Sequence, residues 1–188
     1  MNHTLNIIVG STRPGRVAPI FANWFKDFAA SHGKFEPVIV DIAEFGLPLF
    51  DEPKHPRLGD YENEHTRRWS QTIAAGDAFV FVTPEYNYFI PAPLVNAITY
   101  LSSEWKYKPA GFLSYGGVSG GLRGVESAKS LLTTLKVVPV PEGVAVPNYP
   151  QLVVEGAFQP NDSIVASAGT MLDELHRWSV ALKPMRGA

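Results

Sequence analysis

Leu5-Asn6-Ile7-Ile8-Val9-Gly10-Ser11-Thr12-Arg13-Pro14-Gly15-Arg16-Val17 begins as an apolar, β-branched run and ends as a glycine-containing loop. A strand with one wet face alternates polar and apolar residues. The near-continuous run Leu5–Val9 instead predicts a strand covered on both sides. Directly after the loop, Ile20, Phe21, Trp24, Phe25 and Phe28 recur at helical spacing within Pro19–Ala30. Strand, tight loop and helix in that order open a βαβ unit, which calls for a parallel sheet.

The same alternation continues outward. Phe35–Asp41 reads as a second strand, followed by a loop stiffened by Pro48, Pro53 and Pro56. Tyr61–Ala75 reads as a helix with Glu64 and Arg68 at i,i+4 spacing on its charged face. Ala78–Thr83 and Ala110–Tyr115 read as strands three and four, with a helix over Pro93–Leu101 between them. A helix over Gly124–Leu135 follows, then a fifth strand over Val137–Val146 interrupted by Pro139 and Pro141. Ile164, Ala168, Met171, Leu172, Leu175, Trp178 and Leu182 form one apolar stripe of a closing helix, with Asn161, Asp162 and Ser163 as N-cap candidates. Five strands with interleaved helices fit both common doubly wound orders. In the order 2-1-3-4-5, strands one, three and four are neighbours and the loops after them converge on one crevice.

Composition narrows the function. The 188 residues carry 16 Lys plus Arg against 18 Asp plus Glu, so no net positive field draws a nucleic acid or an anionic membrane. Cysteine is absent, which removes thiol nucleophiles, disulfide frameworks and cysteine-held metals, and the histidines show no metal spacing. No apolar run approaches the roughly 18 residues of a membrane span, and Met1-Asn2-His3-Thr4 opens no signal sequence. One domain over residues 1–188 and a cytoplasmic location are the expectations.

Each of the three loops has its own chemistry. Gly10 to Val17 nearly matches a nucleoside-triphosphate loop, but Arg16 stands in place of the lysine and Val17 in place of the Mg²⁺-binding hydroxyl. Backbone N–H groups at a helix start, the hydroxyls of Ser11 and Thr12, and the guanidinium groups of Arg13 and Arg16 remain, and these suit a phosphate monoester. Thr83-Pro84-Glu85-Tyr86-Asn87-Tyr88-Phe89-Ile90-Pro91-Ala92-Pro93 is rigid and aromatic. Its rings suit stacking on a flat heterocycle, while Glu85 and Asn87 suit its polar edge or a polyol chain. Ser114-Tyr115-Gly116-Gly117-Val118-Ser119-Gly120-Gly121 lets backbone amides approach a planar ligand closely.

Together the three loops resemble the NAD(P)H-dependent FMN reductases, a flavodoxin-like family that includes quinone, azo-dye and chromate reductases. Gly10, Ser11 and Arg13 match the family's Gly-Ser-x-Arg, and Pro84, Glu85, Tyr86 and Asn87 its Pro-Glu-Tyr-Asn. Ser114–Gly117 and Gly120-Gly121 match its glycine loop. The likeness runs from strand one to about Leu135, and Arg16 departs from the family's usual Ser or Asn. The resemblance implies a flavodoxin-like doubly wound α/β fold, a five-stranded parallel sheet of order 2-1-3-4-5 with helices on both faces. It implies FMN as cofactor and NADPH or NADH as co-substrate, with hydride passed on to a flavin, quinone or similar small acceptor. It places the FMN phosphate at Ser11, Arg13, Arg16 and Val17, to which the loop's own chemistry adds Thr12, and the ribityl and ring against Pro84, Glu85, Tyr86, Asn87, Ser114, Tyr115, Gly116 and Gly117. The Gly116 and Gly117 amides, aided by the next helix, are expected to stabilise charge on the reduced ring, and Arg13 or Arg123 to meet an NADP 2′-phosphate. Tyr88, Phe89, Tyr100, Trp105 and Tyr107 are expected to serve a homodimer, with a homotetramer as the larger case.

Two other classes compete. A flavodoxin-like electron carrier or regulatory module would bind FMN without oxidising NAD(P)H. A serine hydrolase would use Ser119 in Gly117-Val118-Ser119-Gly120-Gly121, with Asp173 and His176 following in order.

Overall fold

The computed structural model describes residues 3–187. Strands β1 (His3–Val9), β2 (Phe35–Asp41), β3 (Ala78–Pro84) and β4 (Pro109–Tyr115) lie parallel in the order β2-β1-β3-β4. Beside β4 lie two short segments, β5 (Val138–Pro139) and β6 (Val144–Val146), both parallel to it. The single fifth strand expected over 137–146 is therefore divided. Pro139 and Pro141 have no N–H to give the ladder, so Val138 and Val140 donate to the carbonyls of Lys108 and Ala110 and the chain then bulges away until Val144.

Helices α1 (Ala18–His32) and α5 (Asp162–Leu182) cover one face, and α2 (Glu64–Ala75), α3 (Ala92–Thr99) and α4 (Leu122–Thr134) the other. The period of two along each strand sorts the layers. Leu5, Ile7, Val9, Val80 and Val82 meet Phe21 and Phe25 of α1 and Met171, Leu172 and Leu175 of α5. Ile8, Phe79, Phe81 and Phe112 meet Trp69, Leu94, Ile98 and Val125. Each such side chain, fully buried, contributes about 1.5–3 kcal/mol relative to exposure. Tyr100 and Trp105 also belong to this second layer at 0% exposure, so they are core residues and not the interface aromatics expected of them. Their bulk and polar tips look alike in either setting. The structure gives both tips internal partners, Asp51 for the Tyr100 hydroxyl and the Ile98 carbonyl for the Trp105 indole N–H.

A short hairpin of β7 (Val153–Val154) and β8 (Ala157–Phe158) was not legible in the sequence. Its Phe158 stacks edge-on to Phe21 and Trp24 of α1 at ring separations of 4.8 and 5.0 Å. This anchors the preceding segment, including Tyr149, above the end of β4. Glu64 and Arg68 of α2 do not pair as expected. Arg68 instead donates to the Glu44 carbonyl and lies over the Phe45 ring. No helix among the described residues is long and apolar enough to cross a membrane.

Candidate functional site

The loops after β1, β3 and β4 converge at the carboxyl edge of the sheet on a cavity of about 230 Å³. Its walls are Arg13, Gly15, Arg16, Val17, Pro84, Glu85, Tyr86, Tyr115, Gly116, Gly117 and Tyr149. Nine of these belong to the set expected from the sequence. Gly15 and Tyr149 were missed, and Tyr149 had no local signal because the β7–β8 hairpin brings it here.

The first loop is braced on three sides. Gly10 N–H donates to the Val82 carbonyl at 2.9 Å, and the buried Ser11 hydroxyl meets the Tyr86 hydroxyl at 3.2 Å. Arg16 reaches back to the Ser11 carbonyl while its two terminal nitrogens hold both oxygens of Asp41, one at 2.6 Å. The Arg16 charge, expected at a phosphate, is thus matched by Asp41 within the fold. Ser11 likewise acts as a brace within the fold. Thr12 faces a neighbouring hollow beside Ala92 and Asn96, and lies outside the cavity.

What remains open to an anion is the start of α1 and the Arg13 side chain. Val17 sits at the N-cap, and no side chain accepts from the first N–H groups of the helix. Most helices carry Ser, Thr, Asp or Asn there. Pro19 has no N–H and the Ile20 N–H is taken by the Val17 carbonyl at 2.9 Å, so a valine cap leaves the Ala18 N–H, and the positive end of the helix dipole, to an outside acceptor. Arg13 lines the cavity and is exposed, and its guanidinium has no ion-pair or hydrogen-bond partner among the described residues. Tyr115, 4% exposed, packs on Phe21 and Tyr149, and burial pushes its hydroxyl above the usual phenol range, so it stays a neutral donor.

The second loop closes as a two-residue turn. Tyr86 and Phe89 exchange backbone hydrogen bonds at 2.9 and 3.0 Å, with Asn87 and Tyr88 at φ 51° and 67° at the tip. Asn87 is exposed at that tip and does not line the cavity. Glu85 lines the cavity, and its carboxylate already has partners within the fold. Its carboxylate accepts from the Arg123 and Gly124 N–H groups at 3.0 and 3.2 Å and from Arg123 Nε at 2.8 Å. Arg123 in turn lies 3.8 Å over the Tyr88 ring. Its charge is therefore matched within the fold, whereas the Arg13 guanidinium has no such partner among the described residues.

Glu85 also corrects the electrostatics of the third loop. The N-terminus of α4 points at this carboxylate, so its dipole is satisfied inside the protein. Gly116 N–H donates to the Val146 carbonyl at 3.2 Å, leaving Gly117 as the member of the expected amide pair with an open N–H. A Cβ added at Gly117 would meet nothing within 4 Å, so this backbone is approachable from outside. Gly121, by contrast, has φ 85° and a Cβ there would lie 3.0 Å from the Ser114 Cβ and the Tyr115 carbonyl, so the loop needs glycine to turn. Ser114 is buried and faces a separate hollow beside Glu142.

Burial alone would raise the Glu85 carboxyl, but Arg123 and the two backbone N–H groups hold it below the usual carboxylate range. A depressed folded-state value means stabilisation that is present above the ordinary carboxylate range and lost as pH falls through it. Glu85→Gln is therefore expected to melt below the wild type at neutral pH. The gap in Tm should narrow on acidification, and a gap independent of pH would contradict this role.

The hydrolase constellation is not assembled. His176 packs against His3 and Phe35 at the amino edge of the sheet, and Asp173 is held by Lys34 and His32. Ser119, past the carboxyl end of β4, bonds to Glu85. The two edges are roughly 20 Å apart across a seven-residue strand.

A doubly wound sheet with an uncapped helix start, an unpaired arginine, a tyrosine-rich wall and an approachable glycine at its carboxyl edge defines the flavodoxin-like class of phosphorylated-cofactor proteins. The model of the NADPH-dependent FMN reductase family matches residues 4–151, and the chain belongs to that family. The match extends past Leu135, beyond the expected limit of the resemblance. An NAD(P)H-dependent FMN reductase of Schizosaccharomyces pombe is 35% identical over 161 residues, covering 82% of this chain and 78% of that protein. A 2-hydroxy-1,4-benzoquinone reductase of a Burkholderia species is 29% identical over 188 residues, covering 92% and 93%. Among solved structures, the flavoenzyme NAD(P)H:(acceptor) oxidoreductase of Paracoccus denitrificans superposes with a TM-score of 0.76 at 22% identity, covering 96% of this chain and 98% of that one, and shares the fold. The protein is thus an oxidoreductase of the FMN- and NAD(P)H-dependent kind.

Proposed function

We propose that the chain acts as one FMN-binding domain and that the cavity at the ends of β1, β3 and β4 is its cofactor seat. The observation that carries this reading is the unsatisfied start of α1 beside the unpaired Arg13 guanidinium, a donor set that fits a phosphate monoester. Arg13 and the N–H groups around Gly15 and Val17 hold the phosphate, and the Tyr115 hydroxyl offers a further donor. Pro84 and Tyr86 flank the polyol and the inner edge of the ring. The open Gly117 N–H would serve the polar edge of a bound ring, stabilising negative charge there. FMN held there would supply the redox chemistry, hydride transfer from reduced nicotinamide and onward reduction of a quinone or similar small acceptor. The protein's task is orientation: the braced loops would fix the cofactor so that donor and acceptor meet it in turn.

The chain works as a homodimer in the cytoplasm. Tyr88, Phe89, Val118 and Leu122 stand 49–90% exposed on the loops around the site, apolar surface that fits a second copy. The test is purification of the full chain, absorbance at the flavin bands, and oxidation of NADPH and NADH with a free quinone, with and without added FMN. Yellow protein or saturable FMN binding with catalytic turnover, eluting at twice the chain mass, is the expected result. Colourless protein that refuses FMN at saturation overturns the reading, and bound FMN without NAD(P)H turnover identifies a carrier.

A further inference from the structure

Arg16 lines the cavity, yet its cationic fork is taken up by partners within the fold. Its terminal nitrogens reach both oxygens of Asp41, and one also holds the Ser11 carbonyl five residues back along the same loop. Asp41 is the last residue of β2, in register with Val9, the residue that launches the loop from β1. Both side chains are largely buried, at 20% and 13% exposure, so the pair is shielded from solvent and has one geometry. The Asp41 carboxylate is fixed in turn by the Ala43 N–H at 3.0 Å, where it caps the following single turn of 3-10 helix.

We propose that Arg16 and Asp41 are a positioning pair that shapes the phosphate loop without touching the phosphate. A loop that must present N–H groups to an anion has to keep its carbonyls elsewhere, because a carbonyl oxygen facing a phosphate is repulsive. Arg16 occupies the Ser11 carbonyl, and Asp41 keeps Arg16 from swinging onto the anion. The loop then presents Arg13 and the start of α1 as its donors. The cavity's own charge is correspondingly modest, one free guanidinium and a helix end, with the second guanidinium cancelled. This inference rests on the phosphate-seat reading given above.

The test compares FMN with riboflavin, which is the same molecule without the phosphate, by quenching of flavin fluorescence on the full chain freed of flavin. The variants are Asp41→Asn, which keeps the shape and the Ala43 contact, Arg16→Lys, which keeps the charge but not the fork, and the double variant. Each single variant is expected to weaken FMN binding about ten-fold, the scale of one charge-assisted hydrogen bond, with riboflavin binding unchanged. The double variant is expected to be no weaker than either single, because both remove one device. Tighter FMN binding by Asp41→Asn would make Arg16 a direct ligand, and unchanged binding would show that the pair does not shape the seat; either result overturns the proposal. A parallel loss of riboflavin binding would show general damage and overturn it equally. Failure of the underlying reading looks different: the unaltered chain would then bind FMN no more tightly than riboflavin.

Discussion

Arg13→Ala weakens FMN binding by about 10- to 100-fold, the range of a charge-assisted contact to an anion, while the hydride-transfer rate of the fully loaded enzyme changes little. Arg13 is the guanidinium of the first loop with no internal partner among the described residues, so its removal unpairs none of them and withdraws charge from the seat. The loss should shrink as salt rises, since part of the attraction is screened in the unaltered protein. Flavin titrations at two ionic strengths and single-turnover reduction by NADPH separate binding from chemistry. A slowed hydride step with undiminished FMN retention would place Arg13 at the nicotinamide instead.

Phe21→Ala is expected to cost about 3–5 kcal/mol of stability, the usual range for emptying a fully buried aromatic site, and to lower Tm by about 10 °C. Phe21 has 0% exposure and lies under the site, with its ring 4.6 Å from Tyr115, 6.1 Å from Tyr149 and 4.8 Å from Phe158. The void would open beneath the two tyrosines that wall the cavity, so FMN affinity should fall along with stability. Phe21→Leu, which refills most of the volume, should recover the larger part of both. Melting curves with and without FMN check this. A Phe21→Ala protein that melts like the wild type would show that the aromatic cluster is not the support assigned to it.

Much of the architecture was readable because it rests on local rules. The two faces of β1 and β3 follow a period of two, the helix stripes follow 3.6, and Gly10, Pro84 and Gly116 mark where each strand must stop. Those features needed no partner from elsewhere in the chain. The split of the fifth strand was also foreshadowed by Pro139 and Pro141, whose missing N–H groups interrupt any ladder.

The charges were a different matter. Arg13 and Arg16 look equivalent three residues apart, yet one faces the cavity and the other is held by Asp41, 25 residues further along the chain. Glu85 looked like a ligand residue and proves to cap α4 through Arg123 and Gly124, 38 and 39 residues away. Ser119, Asp173 and His176 come in a catalytic order along the chain but lie at opposite edges of the sheet. Sequence alone therefore determined the sheet, the loops that meet at its carboxyl edge and the family they belong to, since backbone periodicity and turn chemistry act over a few residues. Which guanidinium is free, which amide is open and which carboxylate is already satisfied were decided only by tertiary structure. Coulombic and hydrogen-bond partners are chosen by distance in space, and that distance exists only after the chain has packed.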